Sequence, residues 1–371
     1  MRLLWVELRD FRNHTLTHLR NVPDGLIVVV GPNGEGKSNL LEGVAFLFLL
    51  VSPRISATLP LVREGAAAAY VRGEVQTQGG RVLIEVEIPG QGANRVQVNR
   101  SPVRRKRDLR RQVRAVFFGP DDLDVVRGDP SQRRRFMDEA AITLWPLKGS
   151  VFTAYDRTLR QRNRLLKDWD GRGAASELDA WDAELVEKGV AVMRLRAETV
   201  ARLAPGAGEE FGHLAGYGLA CGYRPNVPPA GLDDPGSEEL AQAFRRRLAE
   251  RRDDELVRRT SLVGPHRDDL ELAVRDLGAR SFASHGEAWA AALCLRLGLA
   301  RAVEPEVGER PVILLDDPFS ALDPRRQGQV GERLAALGQV LISVADEAHV
   351  PAHADAVWDV SAGRVTVRGE G

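Results

Sequence analysis

Lys37 and Ser38 close a glycine-punctuated run, "GPNGEGKS" (Gly31 to Ser38), that satisfies G-x-x-x-x-G-K-[ST]. Such spacing does one kind of chemistry. Glycines let the backbone turn so tightly that several N–H groups converge on a phosphate at the positive end of the helix that follows. Gly31, Pro32, Asn33, Gly34, Glu35, Gly36, Lys37, Ser38 and Asn39 are therefore the expected nucleotide-binding residues. Lys37 would reach the β- and γ-phosphates of ATP, and Ser38 would hold Mg²⁺.

A second cluster lies far downstream. In "PVILLDDPFSALD" the four apolar residues Val312 to Leu315 predict a buried strand with Asp316 and Asp317 at its carboxyl end. Ligands bind at that end in open α/β sheets. Asp316 would join Ser38 in the Mg²⁺ shell, and Asp317 would position or activate the attacking water. Lys37, Asp316 and Asp317 are the expected catalytic residues. Upstream, Ser284 and Gly286 stand just before an apolar helix expected over 288–302. By itself "SHGE" (284–287) reads as a Ser N-cap with Glu287 in the first turn.

These residues need elements to position them. Ile27 to Val30 predicts a buried strand leading into the loop, and Asn39 to Leu50 a helix leaving it. "LLWVEL" (Leu3 to Leu8), "YVRGEVQT" and "RVLIEVEI" predict further strands, the last two joined by a hairpin at Gly79 and Gly80. From about Pro130 the period changes. Phe152, Tyr155, Leu159, Leu166 and Trp169 recur at helical spacing, "DGRGAAS" (170–176) interrupts, and Leu178, Trp181, Leu185, Val192 and Leu195 resume it. That predicts a helical hairpin. Residues 204–237, rich in Gly and Pro, predict a loop, and Ser237 starts another helix carrying Leu240, Phe244 and Leu248. Strands return after Arg259. The expected fold is α/β: residues 1–129 and 260–371 form one head, and residues 130–259 are a mainly helical insertion forming a short arm.

With 371 residues the chain can bury a large core. Its 52 basic and 52 acidic residues balance, so net charge points to no partner. Cys221 and Cys294 stand in no metal-type spacing and read as reduced core residues. The apolar run from Val44 to Val51 is too short to span a bilayer, and the expectation is a cytoplasmic protein without a membrane partner.

Taken in order, the phosphate loop, S-x-G-E before a helix, strand-Asp-Asp and "SALD" (Ser320 to Asp323) look like the ABC-type ATPase series, with Ser284 to Glu287 at the signature. "LRDFRNH", "GPNGEGKSNLLEG", "FFGPDDLDVVRGDPSQRRRFMD" and "GPHRDDLEL" together resemble the RecF family of bacterial DNA repair proteins. That resemblance implies an ABC/SMC-like ATPase head with a mixed sheet and without a long coiled coil. It implies ATP-dependent homodimerisation as a clamp on DNA (single- and double-stranded, gapped), with Ser284 and Gly286 contributing to the nucleotide site. It also implies weak ATPase activity and loading of recombinase at gaps with RecO and RecR. The ATP-binding subunit of a membrane transporter is the alternative.

Departures from the transporter pattern are readable. Asp317 stands where a transporter-type ATPase usually has Glu. No clear Q-loop Gln is present, and Val116 to Asp124 occupies its place. Asp346 or Ser343 stands where a switch His would be. For DNA, the run Val103 to Arg114 holds seven basic residues and one acid, making Arg104, Arg105, Lys106, Arg107, Arg110 and Arg111 the first candidates. Further candidates are Arg157, Arg160, Arg162 and Arg164 on the first long helix, and Arg245 to Arg247, Arg251 and Arg252 on the later one. His266, Asp268 and Asp269 cluster in "GPHRDD" but find no second ligand set, and read as structural or nucleotide-sensing.

Overall fold

The computed structural model describes residues 1–169, 175–228 and 236–369. Two strands, β1 (Arg2–Phe11) and β2 (His14–Leu19), open the chain, and β3 (Leu26–Val30) leads through the loop into α1 (Lys37–Leu49). β4 (Ala68–Thr77), β5 (Gly80–Pro89), β6 (Arg95–Val98) and β7 (Ser101–Pro102) follow. They join β1 and β2 in an antiparallel sheet of order β2-β1-β4-β5-β6-β7. Short α2 (Lys106–Arg110) then leads to β8 (Ala115–Phe118).

Helices dominate the middle: α3 (Leu123–Arg127), α4 (Pro130–Leu144), α5 (Ser150–Lys167) and α6 (Ala175–Ala215). β9 (Leu219–Arg224) and α7 (Ser237–Arg258) end that region. β10 (Asp269–Val274) and β11 (Leu277–Gly278) pair with β9 in a small antiparallel sheet. α8 (Ala279–Phe282) precedes the long α9 (His285–Val307), then come β12 (Val312–Asp316), α10 (Pro324–Ala335), β13 (Val340–Val344), β14 (Ala356–Ser361) and β15 (Arg364–Val367).

The central sheet has the order β15-β14-β3-β13-β12-β8. All its pairings are parallel except β14 with β15, so it is mixed. Every residue of β3, β12 and β13 is buried, because layers cover both faces. Successive side chains go to opposite cores. Leu26, Val28 and Val30 join the core that includes α9 and the end of α6, whereas Ile27 and Val29 join the core formed with α1 and the antiparallel sheet.

The sequence expectation failed over 204–224. α6 continues through Pro205 to Ala215, and β9 follows it. The small residues there serve a helix crossing. A Cβ added to Gly298 of α9 would lie 2.5 Å from the Ala207 nitrogen and 2.7 Å from the Leu203 oxygen, so the two helices meet backbone to backbone. A composition that reads locally as loop is here the requirement of a distant partner. α5 also stops at Lys167, before Trp169, and residues 170–174 of the predicted hairpin turn lie outside the described residues.

Candidate nucleotide site

β3 and β12 flank β13 in the central sheet, so the loop after β3 and the acids ending β12 meet over the tip of β13. Ser38 Oγ donates to Asp316 Oδ1 at 2.7 Å, and Ser343 Oγ of β13 donates to the same oxygen at 2.7 Å. The Asp317 N–H in turn donates to Ser343 Oγ at 3.0 Å. A hydroxyl and a carboxylate meeting at one point are the hard oxygen donors that suit Mg²⁺.

Lys37 is buried, and its ammonium donates to the carbonyl of Pro32 at 2.9 Å, folded over its own loop. Burial lowers its pKa, opposed by Asp317, Asp316 and Glu35. Asp317 is shifted the other way: burial raises its pKa, as does Asp316, while Lys37 and His349 oppose. A carboxyl made more basic beside a phosphate loop suits a group that accepts a proton from water. Asp317 also has φ 53°, in the left-handed region where Asp and Asn are enriched over other side chains. The local backbone thus favours the short acid over Glu.

The loop is gripped from outside by residues the sequence reading quoted but gave no role. Asn13 Nδ2 donates to the Glu35 carbonyl at 3.0 Å, and Asn13 Oδ1 accepts from Asn39 at 2.9 Å. Buried His14 lies 3.1 Å from the Gly36 carbonyl and 2.9 Å from the Gly363 carbonyl. The turn after β14 closes the ring, with the N–H groups of Ala362 and Gly363 donating to the Glu35 carboxylate and carbonyl. Gly36 has φ 116°, and a Cβ there would fall 2.7 Å from Asn13 Nδ2, so only glycine fits between loop and hairpin. The signal for these residues was their place in "RNH" at a strand turn. Their target, the loop, is distant in sequence.

The signature turn is built as the sequence predicts, as a capping box. Ser284 Oγ accepts from the Glu287 N–H at 3.3 Å, and the Glu287 carboxylate accepts from the Ser284 N–H at 2.7 Å. Tyr217 donates to Glu287 at 2.5 Å, and Arg275 pairs with the same carboxylate. The Tyr217 hydrogen bond first, then the Ser284 N–H, hold the Glu287 pKa at about 2. α9 begins earlier than expected, at His285, and Gly286 lies against the Ala321 carbonyl of "SALD". Among the described residues, no hydrogen bond joins Ser284 to Glu287 with the phosphate loop of the same chain.

At the place of the Q-loop, Gly119 to Asp122 forms a tight turn after β8. Buried Asp122 accepts from the Gly119 N–H at 3.0 Å and from Arg296 of α9 at 2.6 Å. Of the two residues at the switch position, Ser343 touches the acid pair, whereas Asp346 caps the next turn by accepting from the Ala348 N–H at 2.9 Å. His266 and Asp268 are structural: His266 meets Tyr155 at 2.7 Å, and Asp268 is held by Arg196 and Tyr223.

The basic residues sort sharply. Arg104, Arg105, Lys106 and Arg111 are exposed. Arg110 is spent on the Leu49 carbonyl at 2.7 Å, capping the end of α1, and Arg107 lies 4.0 Å from Asp108. Arg162, expected as a DNA contact, is wholly buried and bonds Asp182, Ser261 and Glu255. It joins α5, α6 and α7 from within and cannot reach DNA. Arg245, Arg247, Arg251 and Arg252 each face a carboxylate within 3.2 Å.

A phosphate loop, an acid pair and a signature helix arranged on this mixed sheet define an ABC/SMC-type ATPase head. The chain matches the RecF/RecN/SMC N terminal domain family over residues 2–367. It is 40% identical to the DNA replication and repair protein RecF of Frankia alni over 376 residues, covering 98% of this chain and 99% of that one. Identity to the Streptomyces avermitilis protein of the same name is 40% over 361 residues, 95% of each chain. The solved structure of the recombination mediator protein RecF-ATPrS in the RecFOR pathway superposes with a TM-score of 0.87 at 26% identity, covering 99% and 98% of the chains. The Pyrococcus furiosus Smc head shares the fold, with a TM-score of 0.57 at 16% identity. The chain belongs to the RecF family of DNA replication and repair proteins. The transporter alternative is corrected accordingly: these relatives are DNA replication and repair proteins.

Proposed function

We propose that this chain is an ATP-operated DNA clamp of recombinational repair, dimerising head to tail around two nucleotides and helping to load recombinase at gaps. One observation carries the reading. The signature turn is a finished, capped helix start, yet among the described residues no hydrogen bond joins it to the phosphate loop of its own chain. A second copy related by a two-fold axis would bring each signature to the other's nucleotide. The relatives' names supply the repair context, and a RecF relative has been solved with ATP. DNA, RecR and RecO are the partners this reading implies, in the cytoplasm.

When bound, ATP with Mg²⁺ would supply the phosphoanhydride bond and the phosphate charge. The chain's own residues do the rest. Lys37 and the loop N–H groups bind the phosphates, Ser38 and Asp316 would hold the ion, and Ser343 orients Asp316. Asp317 accepts a proton from the attacking water. A short carboxylate with no Q-loop Gln beside it fits slow hydrolysis, slow enough for ATP to act as a latch.

Asp317→Asn tests this. Asn tolerates the left-handed backbone at this position, so folding should be kept. Light scattering on gapped DNA should show the ATP-bound dimer persisting much longer than that of the unmodified protein, with ADP giving monomer for both. An unchanged lifetime would remove Asp317 from the reaction centre. Monomer in ATP for both proteins would overturn the clamp.

A further inference from the structure

α5 is amphipathic in an unusual way. Its buried stripe runs through Phe152, Tyr155, Thr158, Arg162 and Leu166. On the opposite face Arg157, Arg160, Arg164 and Lys167 stand at spacings of three, four and three residues, and all four are exposed. Residues so spaced line one side of a helix, and ten residues of rise put about 15 Å between the ends of the row. Among the described residues Arg157, Arg160 and Lys167 have no ion pair. Arg164 has only Asp168 at 3.9 Å, with the two side chains 80% and 71% exposed. An exposed pair at that distance contributes little.

That separates α5 from α7, where Arg245, Arg247, Arg251 and Arg252 each face a carboxylate of α6 or of α7 itself. Before β8 Arg104, Arg105, Lys106 and Arg111 are also exposed, but Arg110 is spent on a helix end. The row on α5 keeps its charge. The other exposed residues of this face are Thr153, Asp156, Gln161 and Asp168, so it has no exposed apolar residue. A protein-binding surface would need an apolar, desolvated centre. A nucleic-acid backbone needs none. It offers one negative charge per ~1.7 Å of duplex axis, so a straight ~15 Å row meets more phosphates than it has cations.

We propose that the exposed face of α5 is a contact surface for the phosphate backbone of DNA, resting on the clamp reading above. Contact is with phosphate oxygens only, hence independent of sequence and sensitive to salt. The row lies on the helix that Arg162 fastens to α6 and α7. Charge bound on the outside is thus borne by a rigid element.

The test is a salt titration of binding to a fluorescein-labelled gapped duplex, with ATP present. In the variant, Arg157, Arg160, Arg164 and Lys167 are each replaced by Gln, a residue that keeps helix propensity. Losing about four phosphate contacts should reduce the log–log slope by roughly three to four. Arg245→Gln with Arg247→Gln, which removes paired charges, should leave the slope unchanged. Far-ultraviolet circular dichroism and ATP affinity should be unaltered in both. An unchanged slope in a folded α5 variant would overturn the proposal and make the row an ordinary solvated face or a site for an acidic protein. No binding of the duplex by the unmodified protein would instead overturn the DNA reading beneath it.

Discussion

Lys37→Ala should bind ATP between roughly a hundredfold and ten-thousandfold more weakly than the unmodified chain, from about 3–6 kcal/mol for two charge-assisted phosphate contacts. The magnitude follows from what else is near. Glu35, Asp316 and Asp317 all bear on the same point, so without the ammonium the loop would offer a phosphate only N–H dipoles against three carboxylates. Folding should barely change, since Lys37 holds only the Pro32 carbonyl of its own loop. Fluorescence titration with a labelled ATP analogue, beside a thermal melt, separates the two quantities. Unaltered affinity in a folded protein would remove the loop from nucleotide binding.

The second large effect concerns stability. Arg162→Ala should cost about 3–5 kcal/mol, because it leaves Glu255 buried with no cation. Glu255 is fully buried, and its other oxygen accepts from the Leu262 N–H at 2.6 Å, so it cannot swing out to water. Lys in place of Arg should rescue little, since one ammonium cannot reach Asp182, Ser261 and Glu255 together. Arg162→Met with Glu255→Met removes both charges and should recover much of the loss. Denaturant unfolding of the unmodified chain, Arg162→Met, Glu255→Met and the double variant, run as a double-variant cycle, measures the coupling. A loss below about 1 kcal/mol for Arg162→Ala would mean the network is not holding the arm together.

Arg162 also shows what the sequence could and could not tell. Counting arginines on α5 suggested four surface cations. Yet Arg162 follows Tyr155 and Leu159 and precedes Leu166 at the spacing of the buried stripe, and that register was the available signal. The nucleotide loop and the acid pair were legible because their chemistry lies in short contiguous runs with strong strand patterns around them. Gly206 and Gly298 were not, because a glycine made necessary by a helix 92 residues away looks locally like a turn. Asn13 and His14 belong to the same class: their types were plain, but their target became visible only when β2, the loop and the turn after β14 were brought together. Asp122 stood in the quoted run "FFGPDDLD" without a role, and its bond to Arg296 shows that the turn after β8 is tied to the signature helix.

The most direct test of the clamp is a mixture of two inactive variants. Ser284→Arg blocks the signature and Lys37→Ala blocks the loop, and each alone should hydrolyse no ATP. Ser284→Ala serves as a control for the cap lost from α9, worth about 1 kcal/mol without the added bulk. In a mixed dimer both lesions fall in one site, and the other site pairs an intact loop with an intact signature. ATP turnover that reappears on mixing, together with a dimer seen by light scattering, is the result this account predicts. No recovery, with both proteins folded and Ser284→Arg still binding ATP, would contradict it and place the whole site within one chain.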